Sequence, residues 1–246
     1  MTWWVLLPIT LSTVSFVGSW AVYGLAVFHK HVCPLSNWDY KNSCDSNSSE
    51  ACCNVPTIST SGRSAPENSL FTAITNAGSF LFLVFAVCHH AHIMERNHGQ
   101  ALLSKAALAF GCVVAGGTFM AGNCNPGYLM TLHYLGAAIS FVCLCFYSLL
   151  LTLLTSRCTL SGLEFLLYPA RIIFTIIQVI ATICYCAFFA KDEHFYNHLS
   201  AVFEWILSAN MELFELSFVV EFYIFSSSML SVLLEKKDEE KSFILS

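Results

Sequence analysis

Four glutamates interrupt the apolar run "LSAVFEWILSANMELFELSFVVEF" at residues 199–222: Glu204, Glu212, Glu215 and Glu221. An ionisable side chain at membrane depth is costly, so each is a candidate for proton or cation handling, or for bonding inside a helix bundle. On a helix turning 100° per residue, Glu204 and Glu215 fall within about 20° of each other, about 16 Å apart along the axis. Glu212 lies about 60° from Glu215, and Glu221 points well off to the other side. Glu204 and Glu221 sit near the ends of the run, where water or headgroups are expected to solvate them. Glu212 and Glu215 are deeper, and no Lys or Arg lies at mid-depth in any apolar stretch. At least one of this pair is therefore expected to donate a hydrogen bond within the bundle. The polar groups within reach of such a pair are Asn76, His133, Gln178 and Asn210.

Cysteine and histidine offer two further chemistries. Cys33, Cys44, Cys52 and Cys53 share one polar loop with the sequon Asn47-Ser48-Ser49. Four cysteines beside a glycosylation site suit two disulfides in an oxidising compartment, with three pairings open. The segment "HHAHIMERNHGQ" holds His89, His90, His92 and His98, read as an interfacial cluster at a helix end. His194 and His198 would share a helix face. Neither set supplies the three or four ligands of a rigid metal site. The sequence carries no P-loop, nucleophile elbow or HExxH. No catalytic residue, cofactor or metal is assigned.

The elements that position these groups follow from composition. The chain has 246 residues, 56% hydrophobic and 11% charged, with mean hydropathy +0.64. Soluble domains carry about 25% charged residues, so this chain expects the bilayer as its solvent. Its net charge of −5 argues against a nucleic-acid partner. About 20 apolar residues cross a bilayer core. Six stretches qualify, at 3–28, 70–90, 101–122, 131–155, 168–190 and 199–226. The first lacks a basic leader and is too long for a signal core, so it is read as retained.

The expected architecture is an all-α membrane protein. A six-helix transmembrane bundle spans 1–230, with an extracellular or lumenal first loop at 29–69 and a short cytoplasmic tail at 231–246. Ala107, Gly111 and Ala115, then Gly117 and Ala121, give the third stretch a close-packing face, within the chain or in a helix–helix oligomer. Seven basic residues fall on the side of the termini (Arg96, Lys105, Arg157, Arg171, Lys236, Lys237, Lys241) against four on the other, which places both termini in the cytoplasm.

Several segments, in order, resemble a family of six-span proteins that includes the damage-regulated autophagy modulators and the transmembrane protein 150 group. They are "WVLLPITLSTVSFVGSWAVYGLAV", "HVCPLSNWDYKNSC", "VPTISTSGRSAPENSLF", Gly122-Asn123, "LHYLGAAISF" and "FEW" with "VEF". The loop cysteines and "HVCP" bring it nearest the 150A branch. The chain departs from the family pattern at Ala65 in the "PPES" segment, at Cys124 and Phe203, and at Thr60 and Ser69, where that branch has cysteines. Glu204 and Glu221 match family acids, whereas Glu212 and Glu215 look like additions. The resemblance implies a non-catalytic regulator working with membrane lipids. For the 150A branch it implies plasma-membrane recruitment of the phosphatidylinositol 4-kinase complex and PI4P synthesis. The alternatives are autophagy modulation at endosomal or lysosomal membranes and, from the acid face, a channel or transporter subunit.

Overall fold

A computed structural model describes residues 3–38, 54–225 and 227–231. Cys44, Asn47, Cys52, Cys53 and nearly all of the expected tail lie outside the described residues. The elements are α1 (Leu6–Phe28), the single turn α2 (Ile58–Ser61), α3 (Glu67–Arg96), α4 (Ala101–Asn123), α5 (Met130–Arg157), α6 (Glu164–Phe189), α7 (His194–Leu216) and α8 (Val219–Tyr223). No strand occurs among the described residues.

Five helical segments are long and apolar enough to cross a membrane: Trp3–Phe28, Glu67–Arg96, His98–Asn123, Met130–Arg157 and Glu164–Phe189. α7 has 23 residues, about 34 Å at 1.5 Å per residue. Its length suffices, but Glu204, Glu212 and Glu215 leave it outside that set.

The six long helices close into a ring. α1 packs against α3, α3 against α4, α4 against α5, α5 against α6, and α6 against α7, which returns to α1. Successive long helices run antiparallel, so one end of the ring carries the segment between α1 and α3 (the loop end). The other carries both chain ends (the tail end). Close contact is bought by small residues on α4. A Cβ on Gly117 would lie 2.8 Å from Gly136 O of α5, and one on Gly111 would lie 2.9 Å from Ala86 of α3. The small face of α4 therefore packs within the chain on both neighbours.

The tail-end half has an aromatic core. Phe85 stacks on Phe222 at 5.1 Å and meets Phe218 edge-on at 5.4 Å. This core corrects the reading of the histidine-rich segment as interfacial. α3 runs on to Arg96 and buries His89, His90 and His92. His89 meets Phe218 edge-on, and His90 Nδ1 bonds Ser104 Oγ at 2.7 Å. The polar letters mimic a helix end, but the rings of Phe218, between α7 and α8, and Phe225, just past α8, and a hydroxyl on α4 absorb them.

Candidate functional site

A cavity of about 220 Å³ lies inside the ring and is lined by all six long helices and by α2. Its walls are mostly apolar, with hydroxyls from Ser15, Ser19, Ser79, Thr118, Ser140 and Ser208. Close to it the chain places Glu204, Glu212 and Glu215, all three of which line it. No Lys or Arg lines it. The helical geometry that set these acids on neighbouring angles thus turns them towards one space.

Glu204 is not solvated as its position near the end of the run suggests. It is buried, and its Oε2 accepts the backbone N–H of Ile58 at 3.1 Å. The next residue, Trp205, donates its indole N–H to Pro56 O at 2.9 Å and packs on Trp20 and Tyr23 of α1. Together they strap the segment around α2 across the loop end of the cavity. His198, about two turns earlier on α7, binds Leu35 O through Nε2 at 2.9 Å and packs against Trp38. It therefore belongs to the same strapping.

Glu215 is buried, and the Oε2 atom of Glu212 is buried with no hydrogen-bond partner among the described residues. Asn76, His133 and Asn210 are committed elsewhere, and Gln178 is engaged through its Oε1 alone. Asn210 donates to Gln178 Oε1 at 2.8 Å and to Phe174 O at 3.0 Å. Asn76 and Asn123 exchange hydrogen bonds between α3 and α4. His133 donates through Nδ1 to Ala121 O and Cys124 O at the end of α4. Among the described residues, no hydrogen bond joins the acid pair to these groups. Gln178 also lines the cavity, and its Nε2 is buried with no partner among the described residues.

Glu221 gives the larger correction. It is buried, and its carboxylate takes both ends of the Arg171 guanidinium, Nη1–Oε1 at 2.8 Å and Nη2–Oε2 at 2.9 Å. Arg171 also donates from Nη1 to Thr155 Oγ1, from Nη2 to Ser217 O and from Nε to Ser217 Oγ. All five N–H groups of a guanidinium are thereby used. The guanidinium also lies 3.5 Å from the centre of the Phe218 ring. It sits where α7 ends and α8 begins, and satisfies a carbonyl that the helix end leaves open. The arginine counted among the surface bases is therefore wholly enclosed, and Glu221 is paired rather than wetted by headgroups.

The loop end holds a cluster that sequence reasoning missed. Glu67, the first residue of α3, is fully buried between His29 and His31. His29 Nδ1 lies 2.5 Å from Oε1 and His31 Nδ1 lies 3.1 Å from Oε2. Cys33, just beyond, is disulfide-bonded. The available signal was the quoted motifs themselves. "HVCP" meets "APEN" through His31 and Glu67, "VPTIS" meets "FEW", and "VEF" meets Arg171.

The chain matches the model of the Frag1/DRAM/Sfk1/Cwh43P N-terminal domain over residues 3–225. It is 32% identical to transmembrane protein 150A of Xenopus laevis over 243 residues, covering 96% of this chain and 89% of that protein. Human transmembrane protein 150A is 31% identical over the same shares. The modulator of macroautophagy TMEM150B-A of Xenopus laevis is 27% identical over 89% of this chain and 86% of its own length. No solved structure matches.

Proposed function

Since the chain belongs to the Frag1/DRAM/Sfk1/Cwh43P family, we propose that it is a non-catalytic, multi-pass regulator of phosphatidylinositol 4-kinase recruitment at the plasma membrane, and hence of PI4P synthesis. The observation that carries this reading is its likeness to the 150A relatives, 32% over 96% of the chain, above the 27% to a 150B relative. α7 is the sixth span. Its acids cross the bilayer inside the ring, where Glu204 is hydrogen-bonded and Glu221, just beyond the helix, is ion-paired. Both termini are cytoplasmic, and the first loop, with its disulfides and a glycan at Asn47, faces outward.

On this reading the tail end is the working surface. Arg96, Lys105 and Arg157 are exposed there, and each base near an anionic leaflet contributes about 1 kcal/mol of attraction. The kinase complex docks on the connections at 97–100 and 158–163. Proximity labelling from those connections tests it. Subunits of the kinase complex among the labelled proteins support it. Autophagy proteins of endosomal or lysosomal membranes in their place would support the 150B-like role and overturn this one.

A second reading, a cation-handling subunit, draws on the unpartnered Glu212 oxygen beside the cavity. Cation flux through the reconstituted protein that Glu212→Gln abolishes supports it. Absence of flux removes it.

A further inference from the structure

We propose that His29, His31 and Glu67 bind one divalent transition-metal ion, zinc by ligand type, at the loop end of the bundle. One donor atom from each residue lies within 4.8 Å of the other two. Two imidazoles and one carboxylate are the protein ligands of an open tetrahedral zinc site, with the fourth position left to water. Imidazole nitrogens favour zinc and its neighbours over magnesium or calcium.

The cluster is held from three directions. Glu67 is fixed by the start of α3 and has no exposed surface. His29 follows the last turn of α1, its N–H bonded to Leu25 O at 2.9 Å. His31 is tied by its N–H to Ala26 O and by its carbonyl, which accepts from Asn54 Nδ2. Between the two histidines, Lys30 has φ 62°, a left-handed conformation that costs a non-glycine residue about 1–2 kcal/mol. That turn brings both rings to one carboxylate, their centres 5.7 Å apart. Strain of this kind persists where surrounding structure enforces it, often at functional sites.

Charge points the same way. The ion-pair partners of Glu67 among the described residues are the two imidazoles alone. A dication between the three would neutralise the buried carboxylate and occupy both ring nitrogens. Donors bound tetrahedrally at about 2.0–2.2 Å lie about 3.3 Å apart. The two nitrogen–oxygen separations, 2.5 Å to Oε1 and 3.1 Å to Oε2, lie within about 1 Å of that spacing, and the three donor atoms lie within 4.8 Å of one another. His29 and His31 are each about one-third exposed, 34% and 33%, which gives an ion a path in.

The test uses the full chain, purified with a tag that lacks histidine and titrated with zinc chloride against a chromophoric chelator. One zinc per chain is expected. His29→Ala and His31→Ala should each weaken binding at least tenfold, while His98→Ala changes nothing. X-ray absorption of the loaded wild-type protein should show two imidazole nitrogens among the zinc ligands. Because His31→Ala could disturb folding, that spectrum and the His29→Ala variant, at an exposed residue, decide the matter without it. Absence of stoichiometric zinc, binding unchanged by His29→Ala, or a spectrum without two imidazoles would each overturn the proposal. The cluster would then be a pair of imidazole–carboxylate hydrogen bonds.

Discussion

Arg171 and Glu221 stand 50 residues apart in the chain and form a doubly hydrogen-bonded ion pair inside the bundle. The pair joins α6 to the break between α7 and α8, and through Thr155 it also reaches α5. Its position explains why the last apolar stretch is not one helix. The guanidinium takes the carbonyl of Ser217, and the chain restarts at Val219 with Glu221 turned back onto the same arginine.

Breaking this pair should be severe. Removing one member of a buried ion pair costs about 3–5 kcal/mol, because the other charge is left uncompensated. Arg171→Met and Glu221→Gln should each lower the thermal midpoint of the detergent-purified protein markedly. The double variant Arg171→Met/Glu221→Leu should recover part of the loss. A double variant less stable than either single one would contradict this.

The same acid-to-amide change should have the opposite sign at Glu212. Its buried Oε2 has no hydrogen-bond partner, and an uncompensated buried charge is costly. Glu212→Gln should leave the thermal midpoint unchanged or raise it. A clear fall would mean that the carboxyl is engaged by a group the bundle itself does not supply.

Trp205→Phe keeps a ring against Trp20 and Tyr23 but removes the donor to Pro56 O. A lost hydrogen bond of about 1 kcal/mol corresponds to about fivefold more frequent local opening. Hydrogen exchange should speed up over residues 55–62 and stay unchanged at the tail end. Uniform acceleration throughout would show that Trp205 supports the whole bundle instead.

Topology has its own check. With the first loop facing outward, the protein from mammalian cells should lose mass on glycosidase treatment, and Asn47→Gln should abolish that shift. A wild-type protein insensitive to glycosidase would contradict the outward placement.

The helical class and the placement of the long helices were legible because a bilayer demands long apolar runs. The small face of α4 was legible because close backbone approach needs glycine and alanine at fixed spacing. What stayed hidden depends on contacts across the ring. Arg171 lies near the start of an apolar stretch and reads as a headgroup-facing base, and its partner is invisible without the return of α8. Glu204 reads as an interfacial acid until α2 folds over it. His89, His90 and His92 read as the end of a helix because their partners come from α4 and from the residues flanking α8. The order of the motifs identified the family, and three of them, those holding His31, Glu67 and Glu204, bond to one another.

PI4P at the plasma membrane is the most direct measure of the proposed role. In cells that express the protein, deleting it should lower plasma-membrane PI4P and the membrane-bound share of the kinase complex, and re-expressed wild-type chain should restore both. Unchanged PI4P together with unchanged kinase localisation would contradict the account.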